Sequence, residues 1–190
     1  VFYAGRVPRN KRPQASEEKR AEIVAAAREL FVDAGYDATP MGRLAAAAGV
    51  AANTIYWYFA DKDDVLIAVL DAVMTDAWAE YQSVAAEPIA ERLLWVVRQL
   101  QQMNRLVSTV HARAERSPAV AQWHANFHQL TASVFRFELE SSGADTATLD
   151  AEVTIGVFAI EGLLTHPLDE DQQRAICDVL AARLISAPPQ

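Results

Sequence analysis

The densest run of side chains able to do chemistry is Asn53-Thr54-Ile55-Tyr56-Trp57-Tyr58-Phe59. On a helix, Ile55 and Phe59 lie four apart and share one face, which leaves Asn53, Thr54, Tyr56, Trp57 and Tyr58 largely outward. So much amide, hydroxyl and aromatic surface suits one of two surroundings. One is a packed core. The other is a duplex major groove, where Asn, Thr and Tyr reach base edges or phosphates and aromatic faces pack on thymine methyls. Two further pairs, His124 with His128 and His111 with Glu115, have the i, i+4 spacing that can hold a divalent metal. The stretch His124-Ala125-Asn126-Phe127-His128 lacks the glutamate of a zinc-protease motif, and there is no cysteine cluster, so solvated or pocket-lining histidines are expected and no metal. Cys177 is the sole cysteine, which excludes an intrachain disulfide and reads as a small helix residue in a reducing compartment. No nucleophile–base set, phosphate loop or supported carboxylate pair stands out. Neither an enzyme nor a cofactor is expected.

These residues need elements to hold them, and the pattern is helical throughout. Ser16 reads as an N-cap with Glu17 and Glu18 in the first turn, followed by Ile23, Ala27, Leu30, Phe31 and Ala34 at helical spacing and Gly35 as the C′ residue. Thr39 reads as the N-cap of a short second helix with Pro40 at its first position. Gly49-Val50 makes a tight turn into a third helix from about Ala52 to about Phe59. Asp61 caps a fourth, striped by Val65, Leu66, Val69, Leu70, Val73 and Met74. Longer helices follow: from Ile89 to about Val110 with a short element at 111–116, from Ser117-Pro118 to about Ser141, from about Thr146 to Thr165, and from Asp169 to Ile185. No segment alternates with the period of a strand. The expected fold is all-α.

Composition agrees with a packed chain. Of 190 residues 52% are hydrophobic and 22% charged, with mean hydropathy +0.01 and only 7 Gly and 8 Pro, which excludes collagen-like and low-complexity chains. No apolar run approaches the roughly 20 residues of a membrane span, and no signal-peptide core is evident, so a cytoplasmic protein is expected. The net charge of −8 is unevenly spread. Through Lys62 there are 9 Lys and Arg against 7 Asp and Glu; from Asp63 on there are 8 against 18. The first part can approach phosphate while the acidic remainder stays away from it. The opening residues, with Arg6, Arg9, Lys11 and Arg12 and the prolines Pro8 and Pro13, read as a flexible basic arm.

Taken together, Gly35-Tyr36, Thr39-Pro40, Ala48-Gly49-Val50, Thr54-Ile55-Tyr56-Trp57-Tyr58-Phe59 and Lys62-Asp63-Asp64-Val65-Leu66 resemble the DNA-binding signature of the TetR (tetracycline-repressor) family. The resemblance is close over residues 16 to about 70 and architectural beyond. It implies a three-helix helix-turn-helix domain (16–66) behind the arm (1–15). A fourth helix then joins it to a helical effector-binding and dimerisation domain (67–190). It also implies roles: Thr39, Tyr56 and Tyr58 on phosphates with Lys62 adding charge, and Asn53, Thr54 and Trp57 on bases with Arg43 reaching the same groove. Three positions depart from the family pattern: Ala51 stands where a capping Ser is common, Asn53 where Gly is common, and Gly42 where a polar residue is frequent.

One short helix sees too few bases, so a homodimer reading a palindromic operator in double-stranded DNA is the expectation. The last two helices are its expected interface, since the penultimate one is apolar on several faces. Between them and the fourth helix an apolar effector pocket is expected, lined by Met74, Trp78, Trp95, Met103, Trp123, Phe127 and Phe158. Tyr81 and Phe135 belong to the same aromatic set, and His128, Asn104, Glu161 and Thr165 would fix a small-molecule ligand. The reading is a ligand-responsive regulator, most simply a repressor released from DNA by its effector. The alternative is an all-α small-molecule carrier whose DNA-binding half is vestigial.

Overall fold

A computed structural model describes residues 11–141, 147–166 and 168–185, with side chains for 15–141, 147–166 and 168–183. Among the described residues every regular element is helical: α1 (Lys11–Asp33), α2 (Met41–Ala47), α3 (Ala52–Ile55), α4 (Lys62–Val84), α5 (Ile89–Gln102), α6 (Asn104–Ala114), α7 (Pro118–Ser141), α8 (Leu149–Thr165) and α9 (Glu170–Ile185). The chain forms two compact units, Val1–Ala72 and Val73–Gln190, divided inside α4 where the sequence suggested a boundary at 66–67.

In the first unit, Ile23, Ala27 and Phe31 of α1 form one buried face at helical spacing. Leu44 and Ala45 of α2, Ile55 of α3 and Val65, Leu66 and Val69 of α4 complete the core. Phe59, just past α3, is buried with Ile55, as their spacing of four requires. Two turns depend on glycine: Gly35 (φ +89°) ends α1 and Gly49 (φ +64°) joins α2 to α3. Both lie in the left-handed region that a Cβ disfavours.

Several boundaries differ from expectation. α1 begins at Lys11, so Ser16 is an exposed residue inside the helix and not its cap. Pro13 permits this, because it falls in the first turn, where no intrahelical N–H bond is lost. Arg6 and Arg9 of the basic arm lie outside the described residues. The N-cap of α2 is Pro40, one residue past Thr39. The single helix expected from Ile89 to Val110 breaks at Met103 (φ −106°, ψ 26°) into α5 and α6, with no Pro or Gly to announce it. Asp61 does cap α4: its Oδ1 accepts from Asp64 N at 2.9 Å, and Asp64 Oδ2 accepts from Ala60 N at 2.9 Å. Ahead of α9, Gln172 N donates to Asp169 Oδ1 at 2.8 Å and Asp169 N donates to Gln172 Oε1 at 3.1 Å, a reciprocal pair.

The second unit packs around Leu94 and Val97 of α5, Phe135 and Leu139 of α7, Leu149, Val153, Ile160 and Leu163 of α8, and Cys177 and Leu180 of α9. α7 and α8 approach closely at Gly156, where a Cβ would come within 2.8 Å of the buried Phe135 ring. No helix of the described residues is long and apolar enough to cross a membrane.

Candidate nucleic-acid interface

The helix-turn-helix is held from behind by a clamp around Tyr36. Its ring packs on Phe31 with centroids 5.4 Å apart, and its hydroxyl donates to Asp63 Oδ1. Lys62 Nζ sits 4.0 Å above the same ring and donates to the Tyr36 carbonyl at 2.9 Å. This ties the turn after α1 to the first residues of α4. Thr39 belongs to the same support. It is 0% exposed, and its hydroxyl donates to Gly35 O at 2.8 Å, bridging α1 and α2. Thr39 and Lys62 were expected on phosphate. In the structure the Thr39 hydroxyl is buried against Gly35 O. Lys62 has a structural anchor in Tyr36.

α3 is shorter than expected and tightens as it ends. Trp57 N donates to Thr54 O and Tyr58 N to Ile55 O, both at 3.1 Å, in i→i+3 bonds. With Ile55 and Phe59 fixed in the core, the intervening residues turn outward. Trp57 is 87% exposed and Tyr56 56%, while Asn53 is exposed and Thr54 and Tyr58 are half-buried. The core alternative for Tyr56 and Trp57 is thereby excluded within this unit. Arg43 is exposed, with Nη1 donating to Ala38 O at 3.1 Å and four further N–H donors on the guanidinium. Arg20 lies over the Phe59 ring at 5.0 Å and seals the core edge. Asn53, Thr54, Tyr56, Trp57, Tyr58 and Arg43 thus project amide, hydroxyl, aromatic and cationic groups from a buttressed turn. Such a set can contact base edges and phosphates.

Several of the residues expected to line the effector pocket make ring contacts with one another. Trp78 stacks on Tyr81 (6.0 Å) and Tyr81 tilts against Trp95 (5.8 Å). Arg92 joins them by donating to Tyr81 Oη at 2.9 Å and to Glu138 at 2.8 and 3.3 Å, and Glu138 raises its pKa. Trp123 stacks on Phe127 (5.7 Å), with His128 edge-on to Phe127 and 3.2 Å from Glu161. Met74 is half-buried, and Met103 is the break between α5 and α6. Phe158 is 66% exposed and Trp78 62%, so neither is enclosed within the single chain. A cleft of about 330 Å³ lies elsewhere, between α8 and α9, lined by Ala159, Gly162, Leu163, His166, Leu168 and Ile176. The Tyr36 clamp and the Arg92 hub escaped sequence reasoning, because each joins residues at least eleven positions apart.

Among the described residues no group of three or more His, Cys, Asp and Glu is arranged to hold a metal. Cys177 is buried, and desolvation pushes its thiol up to about 11, so almost none is thiolate at neutral pH.

Residues 23–69 match the model of "Bacterial regulatory proteins, tetR family". The chain is 42% identical over 62 residues to HTH-type transcriptional regulator HbdR of Aromatoleum sp. (strain CIB), a match covering 33% of this chain and only 27% of HbdR. It is 28% identical to HTH-type transcriptional regulator SrpR of Pseudomonas putida, over 92% of this chain and 89% of that protein. In fold it is similar to a solved transcriptional regulator from Saccharomonospora viridis in complex with choline (TM-score 0.66, 20% identity, 86% of this chain and 95% of that one).

Proposed function

We propose that the chain is a DNA-binding transcriptional regulator of the tetR family, whose model matches residues 23–69, and that it is released from its operator by a small molecule. The observation that carries this reading is the outward set on α3 and the turn after it, above all Trp57 at 87% exposure beside exposed Asn53 and Tyr56. An indole 87% exposed to water gains most where a groove covers it. The buried residues on either side, Ile55 and Phe59, fix the set in place, so little ordering cost falls on binding.

Two copies would read two half-sites about one helical turn (~34 Å) or more apart. The apolar surfaces of Ile155 and Phe158 on α8 and Val179 on α9, all exposed, support a homodimer through these two helices. The second unit is the effector domain on this reading. Its aromatic groups around Tyr81 and around Phe127 offer apolar faces beside Arg92, Glu138, His128 and Glu161 for fixing a ligand. The choline held by the Saccharomonospora viridis regulator is in keeping with a small-molecule effector. α4 begins in the first unit and ends in the second, and so is the covalent route for any coupling between them. A coupling of about 1–3 kcal/mol would change operator affinity about 5- to 150-fold.

Selection of binding sites from random duplex DNA with the purified chain tests the reading. A palindromic consensus whose affinity falls with salt at a log–log slope of about −0.9 per neutralised phosphate is the expected result. Absence of enrichment at low salt would overturn it and leave a small-molecule carrier.

A further inference from the structure

Three helices of the second unit bring three imidazoles and a carboxylate together. His111 of α6 sets its ring edge-on to His124 of α7 with centroids 4.8 Å apart. His128, one turn further along α7, is edge-on to His124 at 4.4 Å. The Nε2 atoms of His124 and His128 are 2.9 Å apart, and Nε2 of His128 is 3.2 Å from Oε1 of Glu161 on α8.

A nitrogen–nitrogen contact of this length needs one proton, carried by one ring and accepted by the other. The carboxylate decides which ring carries it. A proton on Nε2 of His128 serves both Glu161 and His124, whereas a bare nitrogen there would set its lone pair against the carboxylate. His124 is therefore the acceptor. A second proton, placed on Nε2 of His124, would set N–H against N–H and remove the bond.

The charged and titratable groups facing His124 are His111 from α6, His128 from its own helix and Glu161 from α8. Two of the three oppose a charge on His124, and Glu161 is already engaged by His128. Burial first, then His128 and His111, hold His124 below the ordinary histidine range. The sign follows: the packed arrangement favours the neutral ring, is undisturbed above the ordinary histidine pKa, and weakens as pH falls through the depressed one.

We propose that His124 is a proton-sensitive latch between α6 and α7. Neutral, it closes the pair with His128; protonated, it is repelled by His111 and His128, and α6 loosens from α7. The His128–Glu161 contact, 3.2 Å, joins α7 to α8 and does not involve His124. This inference goes beyond the regulator reading and does not depend on it, because its readout lies within one unit.

Hydrogen–deuterium exchange of the full-length chain at about pH 7.5 and about pH 5.5, corrected for the intrinsic pH dependence of exchange, tests it. Peptides of α6 (Asn104–Ala114) are compared with those of α1, which holds no histidine. The expected result is loss of protection in α6 at the lower pH while α1 keeps its own. In His124→Gln, whose amide still accepts from His128 but does not titrate, the pH response of α6 is expected to disappear. His111→Gln, at an exposed position, is expected to diminish it and keeps the test open should the first variant fold poorly. Unchanged α6 protection in the parent chain, or the same acid-induced loss in parent and His124→Gln, would overturn the proposal, as would an undiminished response in His111→Gln.

Discussion

At the scale of single residues, exposure separates side chains that act outward from those that hold the site in place. Trp57 touches little of its own unit, so Trp57→Ala should lower operator affinity about tenfold or more, equivalent to about 1.4 kcal/mol. Its unfolding free energy should move by less than about 0.5 kcal/mol. Fluorescence anisotropy on a selected operator, run beside urea unfolding, would reveal the split. Equal losses in both would mean that the indole is structural. Lys62 should behave in the opposite way. Its ammonium engages the ring and carbonyl of Tyr36, so Lys62→Met should cost about 1–2 kcal/mol of stability. Urea unfolding followed by circular dichroism reads that cost, and an unchanged midpoint would show that the clamp contributes nothing. Thr39 illustrates why residue type alone misleads: the same hydroxyl serves a phosphate or a carbonyl, and only its burial against Gly35 O decides.

At the scale of elements, helix ends and helix contacts set the margins. α3 enters through Ala51 in extended conformation (φ −65°, ψ 147°) with no side-chain cap. Ala51→Ser supplies an acceptor for an orphan N–H at a position already shaped for it, and should stabilise the chain by about 0.5–1 kcal/mol. A rise in thermal midpoint is the expected reading; a fall would mean that the entry to α3 is otherwise constrained. The α7–α8 contact has no such slack. Gly156→Ala would put a methyl 2.8 Å from Cε1 of Phe135, a ring packed in the core, at a cost of about 1–3 kcal/mol by overpacking. Thermal unfolding would check this, and an unaltered midpoint would show that the ring moves aside freely. The cap at Asp61 was legible from sequence because capping is local. The break at Met103 was not, since nothing in its own neighbourhood interrupts the helical pattern.

At the scale of the whole molecule, assembly rests on apolar surface that the single chain leaves open. Phe158 stands 66% exposed on α8 beside exposed Ile155. Phe158→Glu would bury a carboxylate without a partner if that face meets a second copy. Sedimentation velocity should then show monomer in place of dimer while the helical content by circular dichroism is retained. A variant that remained dimeric would move the interface off α8. Operator binding should fall with the dimer, since a lone half-site contact is too small to hold.

What the sequence determined by itself was everything set by spacing along one chain. Helical periodicity gave the all-α class, Gly35 and Gly49 marked turns, and Ile55 with Phe59 fixed which side of residues 53–58 faces out. The joint spacing of glycines, aromatics and acids from Gly35 to Leu66 also carried the resemblance to the tetR family, whose model matches residues 23–69. Tertiary structure decided whatever depends on residues far apart in the chain. It placed Thr39 inside, tied Lys62 to Tyr36, stacked Trp78 on Tyr81 and Trp123 on Phe127, and turned Phe158 to the surface. It also gathered His111, His124, His128 and Glu161 from three helices. Periodicity states which face of a helix is apolar, but not which neighbour that face meets; that depends on how the helices pack, and packing is a property of the folded chain.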